Sequence, residues 1–157
     1  LLDQLIDDYR LEEAKSYWEA WSKFDSTYRI PLYQGMLAWQ SGNREEAFDI
    51  WEKMKWDFPR DWCFWHHVGD FYAKTGRWEE AIVHYRKALD VQPSPKMLDP
   101  LEAISQAMEI CGNYAGAIAA LNEEIELAAM DWDITEGEFV DRIRREITRL
   151  ERAATVG

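Results

Sequence analysis

The chain has 157 residues, 47% of them apolar, so one domain with a sizeable buried core is expected. Its 30 acidic residues outnumber its 18 lysines and arginines and give a formal charge of -12. Nucleic acids and anionic membranes attract basic surfaces, so this balance excludes both as expected partners. No apolar run approaches the ~18 residues of a membrane-spanning helix. We therefore expect a cytoplasmic protein with free thiols.

A three-residue pattern recurs along the chain: a glycine, an alanine five residues later, and a large residue four residues after that. Successive copies lie 34 and then 36 residues apart. A period of this length predicts stacked pairs of helices, each pair too small to bury its apolar face alone. The copies are Gly42, Ala47, Trp51; Gly76, Ala81, Tyr85; and Gly112, Ala117, Leu121.

The clearest copy runs from about residue 62 to residue 95. Its signature positions hold Trp65, Val68, Gly69, Tyr72, Gly76, Ala81, Tyr85, Ala88 and Pro93. This pattern resembles the tetratricopeptide repeat family, and the resemblance spans roughly residues 8–130. It implies an all-α fold, a right-handed α-α superhelix of about four helix pairs that ends in a capping helix.

In chain order, we expect a single domain over residues 1–157 made of successive repeats. A partial first repeat occupies 1–27, three repeats follow at 28–61, 62–97 and 98–130, and a capping helix covers 135–154. The first helix of the earliest pair is shortened, which favours a fragment of a longer chain. Helix starts are expected at Asn43, Asp99 and Thr135. Each is a residue type suited to an N-cap, and each has a glutamate three residues later.

The last predicted helix has an apolar face and a face rich in arginine. The favoured interpretation is a cap whose charged face is exposed to solvent. A homodimer or a partner helix bound to this segment is the alternative. The apolar face consists of Phe139, Val140, Ile143, Ile147, Leu150 and Ala154.

In the tetratricopeptide family, the first helix of each pair lines a concave groove that binds partner proteins. Carried over position by position, the resemblance predicts groove residues that are apolar at one end and acidic at the other. It implies a peptide or helix with an apolar anchor and basic flanks rather than an acidic tail, with Trp39 as the contact anchor. The predicted groove residues are Leu32, Met36, Trp39, Gln40, His66, Asp70, Lys74, Glu102, Gln106 and Glu109.

The sequence offers little to support catalysis or metal binding. Cys63, His66 and His67 lie close together, but no second cluster supplies further zinc ligands. No phosphate-binding loop or nucleophile motif occurs. We therefore expect no enzyme activity, no cofactor and no metal.

Three functions are compatible with these sequence features. The leading hypothesis is a protein-interaction scaffold or adaptor. The second is a ligand- or peptide-sensing module of a larger protein, because similar repeats follow helix-turn-helix domains in bacterial transcriptional regulators. The third is an accessory segment of an enzyme or a catalytic repeat protein.

Overall fold

The computed structural model describes residues 2–156, which form nine helices and no strands. The all-α expectation is therefore confirmed for this part of the chain. The helices are α1 Leu2–Asp7, α2 Leu11–Trp21, α3 Arg29–Gln40, α4 Arg44–Asp57, α5 Trp62–Lys74, α6 Trp78–Asp90, α7 Asp99–Ile110, α8 Tyr114–Trp132 and α9 Glu138–Val156.

The helices divide into two compact units. Unit 1 is Leu1–Pro59 and contains α1 to α4; unit 2 is Arg60–Gly157 and contains α5 to α9. Within the units, neighbouring helices pack as pairs: α1 with α2, α3 with α4, α5 with α6, and α7 with α8. This pairing is the arrangement expected of a helical repeat. The division into repeats and their superhelical stacking stay predictions.

Three equivalent glycines separate the helices of the later pairs. Gly42, Gly76 and Gly112 have φ angles of +87°, +76° and +75°, the left-handed region that other residues rarely adopt. In each turn, the N–H of the residue after the glycine donates to a carbonyl five residues back, at 2.8–2.9 Å. This is the Schellman arrangement that closes a helix and reverses the chain. The glycine that recurs in the sequence pattern therefore marks the turn between the two helices of a pair.

The side-chain caps differ from those expected. Asn43 occupies the N-cap of α4 without a side-chain hydrogen bond to it in the described chain, and α7 begins at Asp99 after an uncapped Leu98. The side-chain caps are instead Asp61, which accepts from the backbone N–H groups of Cys63 and Phe64, and Asn113, which accepts from that of Gly116. Residue type alone did not distinguish a capping side chain from one that points to solvent.

A small residue opposite a large one sets the spacing within two of the pairs. In unit 1, a Cβ on Gly35 would lie 2.2 Å from Trp51 Nε1, and in unit 2 a Cβ on Gly69 would lie 2.6 Å from the Tyr85 ring. Trp51 and Tyr85 are 1% and 4% exposed. Each glycine therefore allows the ring of the second helix to lie directly against the backbone of the first.

Helix α9 packs its apolar face inside unit 2. Val140, Ile143 and Leu150 are fully buried, and Ile143 and Leu150 share a core cluster with Ala117 and Leu121 of α8. Burying each of these side chains stabilises the docked helix by about 1.5–3 kcal/mol. Most of this face is therefore covered, although Ala154, which was assigned to it, is exposed. The capping interpretation is favoured over a homodimer through this helix.

Candidate functional site

The predicted groove residues of α3 lie in unit 1, and two of them are buried. Leu32 and Met36 are 3% and 8% exposed, so they offer a ligand almost no surface. Their assignment to the groove is corrected accordingly. Trp39 and Gln40 are half-buried.

Trp39 is held by its own helix pair. Its ring stacks on Trp51 with centroids 6.1 Å apart and meets the edge of Phe48 at 5.7 Å. The Arg44 guanidinium lies 5.0 Å from the ring centroid, a cation–π contact. These contacts fix the indole, so any role of Trp39 as an anchor would use its remaining exposed part.

Five of the predicted groove residues converge in unit 2. His66, Asp70 and Lys74 of α5 and Glu102 and Gln106 of α7 line one cleft of about 510 Å³. We call it the α5–α7 cleft. Its remaining lining residues are Ala73, Trp78, Tyr85, Asp99, Ala103, Ala107 and Ile110.

Tyr85 forms part of the cleft lining from α6 and orients Asp70. Its hydroxyl donates to Asp70 Oδ1 at 2.8 Å. Burial, reinforced by the Asp70 carboxylate, raises the pKa of Tyr85 well above its usual value, so the phenol stays a neutral donor. Gly69 makes this geometry accessible by leaving room for the ring beside α5.

Two histidines flank the same carboxylate. His66 Nε2 lies 3.9 Å from Asp70 Oδ1, and His67 Nδ1 lies 3.8 Å from Asp70 Oδ2. The other ring nitrogen of His66, Nδ1, is buried with no hydrogen-bond partner among residues 2–156. Lys74 lies one helical turn after Asp70, and its Nζ is 5.6 Å from the centroid of the Phe71 ring. Asp70 therefore accepts a hydrogen bond from the Tyr85 hydroxyl and lies near His66 and His67.

The cleft has an acidic lining. Within the described chain, its charged lining consists of three carboxylates, on Asp70, Asp99 and Glu102, against the single ammonium of Lys74. Ala73, Ala103 and Ile110 supply apolar surface between them. An apolar surface with carboxylates around it suits a ligand that carries both alkyl and cationic groups.

Glu109, the last predicted groove residue, lies in a neighbouring cleft of about 380 Å³ between α7 and α9. Arg149 of α9 binds its carboxylate through two hydrogen bonds, of 2.8 and 2.6 Å. Arg142 likewise approaches Glu102, with Nη1 and Oε1 3.6 Å apart. The arginines of α9 were expected to be exposed to solvent, and these two are about half-exposed while they also turn toward α7. They neutralise part of its acidic surface.

The central helix pair also matches a known family. Residues 62–95, which cover α5 and α6, match the family model of the tetratricopeptide repeat. This chain contains a tetratricopeptide repeat. A comparison with curated protein sequences gave no match. Tetratricopeptide repeats typically serve as protein-interaction scaffolds without catalytic activity.

The tetratricopeptide pattern explains why some residues of the cleft were predicted from the sequence and others were not. Tyr85 was identified as a signature position, because the signature gives large residues to the second helix without showing that they also border the cleft. Asp99 was expected only as a helix start. Its place one turn before Glu102 was the signal that both carboxylates share one helix face.

One buried acid lies behind the acidic lining of the cleft. Glu124 of α8 is 2% exposed, and its Oε2 has no hydrogen-bond partner in the part of the chain that the structure describes. Burial raises the pKa of Glu124 to about 7, and the carboxylates of Glu102 and Asp99 act in the same direction, whereas Arg142 lowers it. The signal in the sequence was a glutamate where the tetratricopeptide pattern usually has alanine.

The structure also bears on metals and membranes. Over residues 2–156, no group of three or more His, Cys, Asp or Glu side chains is arranged to hold a metal ion. None of the described helices is long and apolar enough to cross a membrane.

Proposed function

We propose that this chain is a protein-interaction module whose α5–α7 cleft binds an extended segment of a partner protein. The segment places an apolar side chain on the alanine-lined surface and lysine or arginine side chains beside Asp70, Asp99 and Glu102. The observation that carries the proposal is the convergence of five predicted residues on one acidic cleft. The cytoplasmic location expected from the sequence stays a prediction.

The shape and charge of the cleft suit such a segment. Helix α5 has 13 residues and is about 20 Å long, the length of about six residues of extended chain. Each ion pair at an exposed surface contributes only about 0.2–1 kcal/mol. The apolar contacts therefore supply most of the affinity, and the carboxylates select basic over acidic segments and accelerate association.

The ligand preference can be tested with a library of displayed peptides selected on three proteins. The first is the unmodified chain. The second is the Asp70→Asn, Glu102→Gln variant, in which both cleft carboxylates are neutral. The third is a matched control, Glu79→Gln with Glu126→Gln, which removes two exposed negative charges from α6 and α8.

We expect the unmodified chain and the control to enrich peptides that combine apolar residues with lysine or arginine. The cleft variant should bind those peptides about tenfold more weakly, from two lost pairs of up to about 1 kcal/mol each. Equal affinity for all three proteins, or enrichment of acidic peptides, would contradict the proposed function.

A further inference from the structure

Glu124 lies at the junction of three helices and has no good partner for a negative charge. The residue is 2% exposed, and Oε2 makes no hydrogen bond within residues 2–156. A buried carboxylate without hydrogen bonds is strongly disfavoured relative to its protonated form. The protonation of a glutamate at this position therefore depends strongly on the nearest cation.

The nearest cation is Arg142 of α9, and it lies between two carboxylates, those of Glu124 and Glu102. Its Nη2 lies 4.0 Å from Glu124 Oε1, and its Nη1 lies 3.6 Å from Glu102 Oε1. Charge-assisted hydrogen bonds close at about 2.8 Å, so a shift of about 1 Å would complete a bond to either carboxylate. The guanidinium is half-exposed and thus has room to move.

The other charged groups near Glu124 lie on α6, α7, α8 and α9. From α7, Asp99 and Glu102 oppose its ionisation, and from α9 Arg142 favours it. From α6, Arg86 binds the neighbouring Glu123 through two hydrogen bonds of 2.9 and 2.7 Å. The balance at Glu124 is therefore set by two carboxylates that line the α5–α7 cleft and by one arginine, Arg142, whose guanidinium also lies 5.6 Å from the centroid of the Phe139 ring.

We propose that Glu124 is a proton-operated control of the α5–α7 cleft, acting through Arg142 on the availability of Glu102. When Glu124 is ionised, it draws Arg142 away and leaves Glu102 open to a cationic side chain. When Glu124 is protonated, Arg142 closes on Glu102 and covers it. Only the step that involves a ligand rests on the proposed function; the sharing of Arg142 does not.

Linkage gives the direction of the effect on binding. A cationic side chain beside Glu102 and Asp99 cancels their repulsion of the Glu124 charge, so binding favours the ionised form and releases a proton. Affinity for a basic ligand therefore rises as the pH rises through about 7. Because the cleft is open to water, we expect a gain of about two- to fivefold between pH 6 and pH 8.

The sharing of Arg142 is tested without any ligand. The carboxyl carbon of Glu124 is followed by NMR from pH 5 to pH 9 in protein labelled at glutamate, with Glu124→Gln to assign the signal. We expect the titration midpoint to rise in Arg142→Gln and to fall in Glu102→Gln, with no change in Glu126→Gln. A midpoint that neither substitution moves, or one in the ordinary range of exposed glutamates, would overturn the inference.

The ligand step uses a synthetic hexapeptide of alternating leucine and lysine with an acetylated N-terminus, so that its charge is constant over this pH range. Its affinity is measured at pH 6 and pH 8 for the unmodified chain and for Glu124→Gln. Histidines also change charge in this range, so the effect is the difference between the two proteins. We expect the two- to fivefold gain only where Glu124 is present, and equal gains in both proteins would overturn the control of the cleft.

Failure of the proposed function gives a different result. If the hexapeptide binds at neither pH, the binding role of the cleft and the ligand step are both contradicted. The NMR midpoints still decide whether Glu124 and Glu102 share Arg142.

Discussion

Replacing Gly69 by alanine tests the close contact that shapes the α5–α7 cleft. The added Cβ would lie 2.6 Å from two carbons of the Tyr85 ring and 3.2 Å from a third. Ordinary carbon contacts are about 3.5–4.0 Å, so the ring must retreat by about 1 Å. Tyr85 is 4% exposed and has little free space into which to move.

Three contributions determine the expected loss of stability. Overpacking of this kind costs about 1–3 kcal/mol. Displacing the ring also weakens the bond from the Tyr85 hydroxyl to Asp70, worth about 1 kcal/mol. The higher helix propensity of alanine returns about 0.5–1 kcal/mol. The net expectation is a decrease of about 1–3 kcal/mol in the free energy of unfolding.

Urea unfolding followed by tryptophan fluorescence measures this change. The matched control introduces Gly69→Ala into a Tyr85→Leu background, where the ring that causes the clash is absent. There the substitution should be neutral or stabilising by up to about 1 kcal/mol, since only the helix propensity remains. An equal loss in both backgrounds would refute the explanation by ring contact.

Three further predictions concern stability. Glu124→Met removes a buried carboxyl group whose pKa in the folded state, about 7, is higher than in the unfolded state. The folded state therefore holds the proton more tightly, and the cost of the Glu124 carboxyl to stability grows as the pH rises from about 4.5 to 7. Chemical denaturation should show that the substitution raises the free energy of unfolding by about 1–3 kcal/mol at pH 8 and by less at pH 5. Asp61→Ala should lower the free energy of unfolding by about 1 kcal/mol, because it removes a side-chain cap. Asn43→Ala removes no side-chain cap bond and should cost clearly less. Similar costs for the two substitutions would contradict the assignment of the caps. Leu150→Ala should cost about 2–5 kcal/mol and speed hydrogen exchange in α9, while the exposed Val156→Ala should leave both unchanged.

The parts of the fold that sequence predicted are those set by local chemistry. Gly42 and Gly76 could be recognised because a left-handed turn strongly favours glycine, and such a requirement repeats at the same place in each pair. The contact of Gly69 with Tyr85 follows from the same register, since a small residue on one helix and a large one on the next recur together. These signals need no knowledge of distant contacts.

The misassigned α3 residues show where spacing stops being informative. Spacing fixes which residues share a helix face, but not which face turns inward when several faces are apolar. Helix α3 carries apolar residues on more than one side, and Leu37 and Ala38 are buried as well as Leu32 and Met36, so its burial does not follow a single face. The cleft residues of α5 were easier to place, because Asp70 and Lys74 are charged and remain accessible.

The charge network of α9 was beyond sequence reasoning for a different reason. Arg149 binds Glu109 across 40 residues of chain, and Arg142 lies between Glu102 and Glu124. Such pairs depend on the rotation of α9 about its axis once its apolar face has docked. The amphipathic pattern predicts that docking but leaves open which arginines turn back toward α7.

The most direct test of the central claim is to map a bound peptide on the protein by amide chemical-shift changes. A lysine-containing peptide selected by the unmodified chain is titrated into uniformly labelled protein. We predict that the largest changes cluster at α5 and α7 around Asp70 and Glu102, and that they require about tenfold more peptide in the Asp70→Asn, Glu102→Gln variant. Changes confined to the outer surfaces of α6 and α8, and unaffected by that variant, would contradict the claim.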